Sequence, residues 1–335
     1  MARPRLTLLA PGLLGPVPDT LRDAVGDLGP LPGLTRLLAR ARRTRQAGDD
    51  AESLLQAATG GEWAPGGVAR AALPGAAEAP LWYRAAPVHL RADRDRLLLF
   101  AGAGLYPAPE AAEALAAAFN GLFAEDGLQL VTADDNWLLA AERAPGPDLP
   151  PLAEVAGRYL DAWLPTGESS RPWRRLLNEV QMLFHDHPVN RQREAAGLPA
   201  VNGLWFWGGG PVATQAPALA GYHGSHPVLR GLAALAEVPA DPLPDGVAAL
   251  PADGDRLVLV DDAESALLGG DAGDWLSAIG RFETAFAAPL MGEAAGRWGA
   301  VDVLPGDGWR YRLDAASRWR LWRRRRSLRD RVQRT

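Results

Sequence analysis

The 335-residue sequence contains no cysteine, and every one of its basic residues is arginine, with no lysine anywhere. The first absence excludes thiol catalysis, thiolate metal sites and a disulfide framework, so a cytoplasmic location is the default expectation. The second excludes a P-loop lysine and Schiff-base chemistry at lysine. Histidine is scarce, with five residues. Long apolar runs are also missing: none approaches the length needed to cross a bilayer, and the opening MARPRLTLLAPGLLGP is broken by Pro11, Gly12 and Gly15 too early for a signal peptide. The net charge of -5 argues against a general nucleic-acid binder, although arginines crowd the C-terminus. Apolar residues are plentiful, at 47% of the chain, enough for one large or two modest domains.

Hydrophobic patterning predicts the order of elements. Residues 6–10 read as a short buried strand stopped by Pro11, followed by helical material to about Gln56 that includes the basic stretch 40–45. Residues 59–80, rich in Gly, Pro and Ala, read as a loop or linker. Strands are expected at 81–90 and 96–101, an alanine-rich helix at 109–123, and a hairpin of 128–132 and 137–141 turned by Asp134-Asp135. After the proline-rich stretch 145–151, Trp173, Leu176, Leu177, Val180, Leu183, Phe184 and His187 recur at the spacing of a core-facing helix, which Pro188 ends. The remainder alternates: a strand around Trp205, a helix at 227–236, a strand at 256–260, a helix at 274–287 and a hairpin around Gly306-Asp307-Gly308. Such alternation predicts an α/β fold with a mainly parallel sheet. No internal repeat is visible.

Few groups offer chemistry. His185-Asp186-His187 resembles a metal triplet, but on a helix residues two apart point in nearly opposite directions, which favours a core-facing capping role for His187 beside Pro188. His223 and His226, in GYHGSHP, sit in a glycine-rich loop before a helix, where they meet a common ligand or where Ser225 serves as the N-cap. Asp261-Asp262 stand at the C-terminal end of a predicted parallel strand, where ligands and metals gather in open α/β sheets, and capping of the next helix is the simpler reading. Gly102-Ala103-Gly104 is too weak for a dinucleotide motif. The stretch GLPAVNGLWFWGGGP, residues 197–211, runs an apolar strand into three glycines open to close approach, as a ligand loop or as a tight turn packed by aromatics. The tail interleaves Trp319 and Trp322 with nine arginines between Arg318 and Arg334; it suits single-stranded nucleic acid or an anionic membrane, or docks its tryptophans on the body.

Several of these residues form a pattern: Pro11-Gly12-Leu13-Leu14-Gly15-Pro16, Asn178-Glu179-Val180-Gln181-Met182, His187-Pro188-Val189-Asn190 with Arg193 and Gly197, then Asn202 and Leu204-Trp205-Phe206-Trp207-Gly208-Gly209-Gly210. In this pattern the chain resembles the RpfE-type regulatory proteins, which are cofactor-independent phosphoglycerate mutase-like. It is also similar to a segment of the archaeal-type cofactor-independent phosphoglycerate mutases of the alkaline phosphatase superfamily. The resemblance implies an alkaline-phosphatase-like α/β core with helices on both faces and an inserted small α/β subdomain. The expected division is 1–75 for the first part of the core, 76–150 for the subdomain, 151–315 for a helical segment and the rest of the core, and 316–335 for the tail.

Active members of that superfamily hold two divalent metals around a Ser or Thr nucleophile, because in-line phosphoryl transfer needs charge neutralisation on the attacking and leaving oxygens. Here Pro11-Gly12 replaces the metal-binding aspartate expected at the end of the first strand, and Leu268-Gly269-Gly270-Asp271 lacks the histidine of the late ligand motif. The resemblance therefore implies a bacterial pseudoenzyme without cofactor. Its expected ligand is a phosphate or sugar phosphate, near Asn190, Arg193, Asn202, Trp205, Trp207, Gly208, Gly209, Gly210, His223 and His226, and a protein partner is a further expectation. The alternative is an active mutase or phosphatase holding Mn or Zn through Asp261, Asp262, His223 and His226. A second alternative makes the tail a nucleic-acid or membrane contact.

Overall fold

In chain order the strands are β1 (Arg5–Leu9), β2 (Arg42–Arg45), β3 (Leu81–Asp93), β4 (Arg96–Phe100), β5 (Leu128–Ala133), β6 (Asn136–Ala141), β7 (Gly203–Gly210), β8 (Gly221–His223), β9 (Ala240–Asp241), β10 (Arg256–Leu259), β11 (Ala300–Leu304) and β12 (Trp309–Leu313). The structure is a computed structural model and describes residues 3–73, 75, 78–94, 96–164, 166–319 and 331–332. The strands fall into two sheets, one in each of two compact units: Met1–Glu62 with Gln215–Thr335, and Trp63–Thr214. Residues 151–214 thus group with the second unit, whereas the sequence pattern places them with the remainder of the core.

The first unit is a mixed α/β structure built on a mostly parallel sheet. Its strand order is β2-β12-β11-β1-β10-β8-β9, with β11, β1, β10, β8 and β9 parallel and the β12 and β2 edge antiparallel. Both faces are covered, as a parallel sheet requires. Leu6, Leu8, Val258 and Val303 pack in one core cluster with Leu34 and Leu37 of helix Pro32–Arg40 and Trp275 and Ile279 of helix Ala272–Phe282. Leu9, Leu257 and Leu259 are buried on the other side, where helices Ala51–Thr59 and Pro227–Leu235 pack against β1 and β8.

The basic stretch expected to be helical instead forms β2. Its partner β12 overrides local propensity, and the Arg43 and Arg45 guanidiniums stack 4.5 and 4.3 Å from the Trp309 ring centroid. Four exposed residues rich in arginine also blunt a sheet edge against further pairing.

The second unit carries an antiparallel sheet, β4-β3-β6-β5, with β7 pairing β3. Helix Pro109–Phe123 lies where its spacing predicts, and Asn120 ties it to the sheet, accepting from Leu130 N at 2.6 Å and donating to Leu130 O at 3.0 Å. Two expectations are corrected here. The strand around Trp205 belongs to this antiparallel sheet: β7 is buried over its first five residues, and an apolar run of that kind reads alike in either sheet type. The expected linker 59–80 contains helix Pro65–Ala71, whose glycines hide it from a propensity reading and whose packing against β3 and β7 supplies the stability.

The helix predicted to end at Pro188 is Arg171–His185, and a second helix that the pattern does not predict, Pro188–Ala195, follows it directly. Pro188 both ends the first and occupies the opening turn of the second, where its missing N–H costs nothing. His187 takes the capping role expected of it, as the N-cap of the second helix: its Nδ1 accepts from Val189 N at 3.3 Å.

Candidate functional site

The aromatic and glycine signature sits within the second unit, and its polar groups bond to the backbone around them. Asn190, 1% exposed, donates to Phe184 O at 2.7 Å and Val201 O at 2.8 Å and accepts from Val201 N at 2.8 Å. Arg193 donates through Nε to Pro199 O at 2.9 Å and through Nη2 to Gly104 O at 2.8 Å. Asn202 mimics a strand partner for β3, accepting from Leu90 N at 2.6 Å and donating to Leu90 O at 2.9 Å. Trp205 donates to Pro150 O at 2.9 Å. The Arg84 guanidinium lies 5.4 Å from the Trp207 ring centroid and donates to Asn136 Oδ1 at 2.8 Å. Phe206 stacks on Trp173, with ring centroids 5.7 Å apart.

The three glycines have a packing reason. A Cβ on Gly208, whose φ is +60°, would meet the Pro65 ring at 2.9 Å; one on Gly209 would enter the Tyr83 ring, and one on Gly210 would strike Ala64. From the opposite side Gly66 and Gly67 approach the carbonyls of Trp82 and Pro211 just as closely. Two glycine runs thus let helix Pro65–Ala71 lie directly on β3 and β7. The Gly209 amide faces the Asp148 carboxylate at 3.3 Å, and burial, with that carboxylate nearby, pushes the Tyr83 hydroxyl up to about 12. An anion at Gly209 would meet a carboxylate there.

The first unit presents the C-terminal ends of its parallel strands, the usual ligand edge of such a sheet. At β8, His223 is 4% exposed, with Nδ1 3.7 Å from the Asp241 carboxylate and Nε2 unbonded among the described residues; burial holds it neutral below the usual histidine range. His226 caps helix Pro227–Leu235, its Nδ1 accepting from Val228 N at 3.3 Å, in the place where Ser225 was expected. At β10, Asp261 precedes helix Asp262–Gly269, and Asp262 accepts from Arg281 Nη2 at 3.0 Å.

In the turn beyond β1, position 12 leaves no room for a side chain. Gly12 has a φ of +73°, and a Cβ there would lie 2.7 Å from Glu264 N and 2.8 Å from Glu264 Cα. Glu264, missed in the sequence although it stands three residues after Asp261 in the first turn of the helix that Asp261 precedes, accepts from Ala51 N at 3.0 Å. Desolvation, with Asp50, Asp261 and Glu52 around it, raises its pKa well above the ordinary range.

Other buried carboxylates serve the fold. Glu283 accepts from Gly33 N at 2.6 Å and Leu34 N at 2.7 Å, Asp302 pairs Arg312 in a two-pronged contact at 2.7 and 2.6 Å, and Asp307 accepts from Tyr311 Oη at 2.6 Å. Among the described residues no three His, Asp or Glu side chains converge so as to hold a metal ion. No helix among them is long and apolar enough to cross a membrane.

No family model matches the chain. Over 73 residues, 22% of its length, it is 32% identical to the 2,3-bisphosphoglycerate-independent phosphoglycerate mutase of Methanothrix thermoacetophila. That stretch is mutase-like. A probable enzyme of the same name from Geobacter sulfurreducens is likewise 32% identical over 73 residues. The matches span 18% and 17% of those two proteins, less than a fifth of each. Among solved structures, the PH0037 protein from Pyrococcus horikoshii aligns with 93% of this chain and 87% of its own at 13% identity and a TM-score of 0.46. The cofactor-independent phosphoglycerate mutase from Thermoplasma acidophilum aligns with 94% of this chain and 90% of its own at 16% identity and a TM-score of 0.34. Neither structural likeness identifies the fold, which rests on the chain's own topology.

Proposed function

We propose that this chain is a mutase-derived protein of the RpfE-type regulatory kind, on an alkaline-phosphatase-like core, which binds a phosphate or sugar phosphate and lacks the two-metal transfer site. The observation that carries the reading is the close approach at Gly12: a carboxylate cannot stand at this position, because its Cβ would overlap the backbone of Glu264. A second supports it. Asp271, in the stretch that resembles the late ligand motif, accepts from Asp274 N at 2.8 Å as a helix cap. Ligand contact is assigned to His223 and His226 at the strand ends of the first unit, and a scaffold role to Asn190, Arg193, Asn202, Trp205, Trp207 and Gly208 to Gly210.

The experiment is metal analysis after incubation with Mn or Zn, together with assays of phosphoglycerate interconversion and phosphatase turnover. An Asp261→Ala, Asp262→Ala double variant serves as comparison. The expected outcome is no stoichiometric metal and no turnover in either protein, with 3-phosphoglycerate binding by calorimetry weakened in His226→Ala. Stoichiometric metal with turnover abolished in the double variant would establish the enzyme instead.

A further inference from the structure

Strand β2 closes one end of the sheet in the first unit, pairing with β12 on one side, and all four of its residues are exposed. Which of its backbone groups point outward follows from the register. Gln46 N donates to Gly308 O at 3.0 Å, so these two residues form a hydrogen-bonded pair of the antiparallel ladder. Bonded and non-bonded pairs alternate, which puts Thr44 and Arg310 in the next bonded pair. Arg43 opposite Tyr311 and Arg45 opposite Trp309 are then non-bonded pairs, and the N–H and C=O groups of both arginines face away from the sheet. They are two residues apart, the spacing at which a further strand takes up its bonds.

We propose that this edge receives an extended acidic segment of a partner protein as an added antiparallel strand. Charge selects the partner. Among the described residues, the guanidiniums of Arg42, Arg43 and Arg45 have no carboxylate partner and no hydrogen bond, while those of Arg43 and Arg45 lie over the Trp309 ring. Stacking holds the two forks in place and leaves their N–H groups at the rim free to donate. Side chains two apart share a face of the strand, so both forks stand on the Trp309 face. A strand with carboxylates at alternate positions sets one opposite each fork, and the same residues supply the backbone bonds to Arg43 and Arg45.

The arginines that blunt this edge against a neutral strand thus admit an acidic one. A second copy of the edge would set arginine against arginine, which like charges oppose. Single-stranded nucleic acid stacks its bases on open rings, whereas two guanidiniums already lie over Trp309. The strand β8 that carries His223 stands near the opposite end of the sheet, so this surface is independent of the ligand contact assigned above.

The test is a titration of the full chain, followed by NMR amide hydrogen exchange, with an end-blocked octapeptide of alternating glutamate and threonine. The peptide is expected to saturate at one per chain and to slow exchange at Arg43 and Arg45, with Thr44, already in the β12 ladder, unchanged. A glutamine-for-glutamate peptide, and the original N-methylated at its glutamates, are each expected to bind at least about tenfold more weakly. An Arg43→Glu, Arg45→Glu variant is expected to lose the glutamate peptide by a similar factor and to bind a lysine-threonine peptide instead. Thermal melts show whether that variant remains folded, and the peptide series on the unaltered chain decides where it does not. A glutamate peptide that does not saturate, or leaves exchange at Arg43 and Arg45 unchanged, overturns the proposal. The N-methylated or the glutamine peptide binding as tightly overturns it too, by removing the strand pairing or the charge selection. Oligothymidylate that binds more tightly than the peptide and displaces it assigns the edge to nucleic acid and overturns the proposal.

Discussion

At the scale of single residues, the polar groups of the signature hold the fold, and their substitution reads in stability. Asn190→Ala leaves the carbonyls of Phe184 and Val201 and the Val201 amide without their buried partner, and a loss of about 3 kcal/mol is expected in urea unfolding. A residue serving only as a ligand contact would leave the midpoint unchanged. His223 supplies a pH dependence. Its pKa is lowered mainly by burial and further by Arg256, while the Asp241 carboxylate opposes the shift. Below the ordinary value of 6.5 the unfolded chain takes up a proton that the folded chain resists. The stability contribution is therefore full above 6.5 and is lost as pH falls toward the folded value. Glu264 acts in the opposite sense: its raised pKa makes the folded state lose stability as pH rises from the ordinary 4.5 through the folded value. Glu264→Gln, which keeps an acceptor for Ala51 N, should stabilise the chain at pH 8 and change little at pH 4. His223→Gln should flatten the loss between pH 7 and pH 5, and unfolding midpoints across that range, compared between the two variants, separate the contributions.

At the scale of elements, the two glycine runs give a sharp comparison. Gly67 in helix Pro65–Ala71 faces the Pro211 carbonyl, so Gly67→Ala forces helix and strand apart at a cost of about 2 kcal/mol. Gly121, in helix Pro109–Phe123, has open space where its Cβ would stand. Gly121→Ala should therefore gain about 0.5–1 kcal/mol through helix propensity alone. Unfolding midpoints of the two variants moving in the same direction would refute this packing account. The same elements show what a local reading can carry. Helix Pro109–Phe123 and the β5 and β6 hairpin follow from spacing and turn residues, because their stripes and turns are complete within a short window. Helix Pro65–Ala71 and strand β2 do not, because each takes its conformation from a distant partner.

At the scale of the whole molecule, the end of the arginine-rich tail joins the first unit. Val332 is 6% exposed in the core cluster, and Arg331 lies beside Asp307 and Tyr311, where burial raises both pKa values and the Arg331 charge partly offsets the rise. A Val332→Ala, Arg331→Gln variant is expected to lose roughly 1–2 kcal/mol in thermal unfolding. Residues 320–330, which hold Trp322 and most of the tail's arginines, lie outside the described residues. Deleting 316–335 and measuring salt-sensitive binding to DNA or anionic liposomes decides their role: a tail contact disappears with the deletion.

The α/β class and most of the order of strands and helices were legible in the sequence, because periodicity and residue type are local properties of the chain. The scaffold contacts of Asn190 and Asn202 became visible only when residues 11 and 112 positions away came within bonding distance. The sequence likewise showed that Pro11-Gly12 stands where an aspartate was expected. Only the tertiary structure supplied the reason no side chain fits at Gly12, since the obstructing backbone of Glu264 comes from a helix some 250 residues later. The open edge at Arg43 and Arg45 belongs to the same class of fact: which backbone groups face outward there is decided only when β2 meets β12, from the far end of the chain.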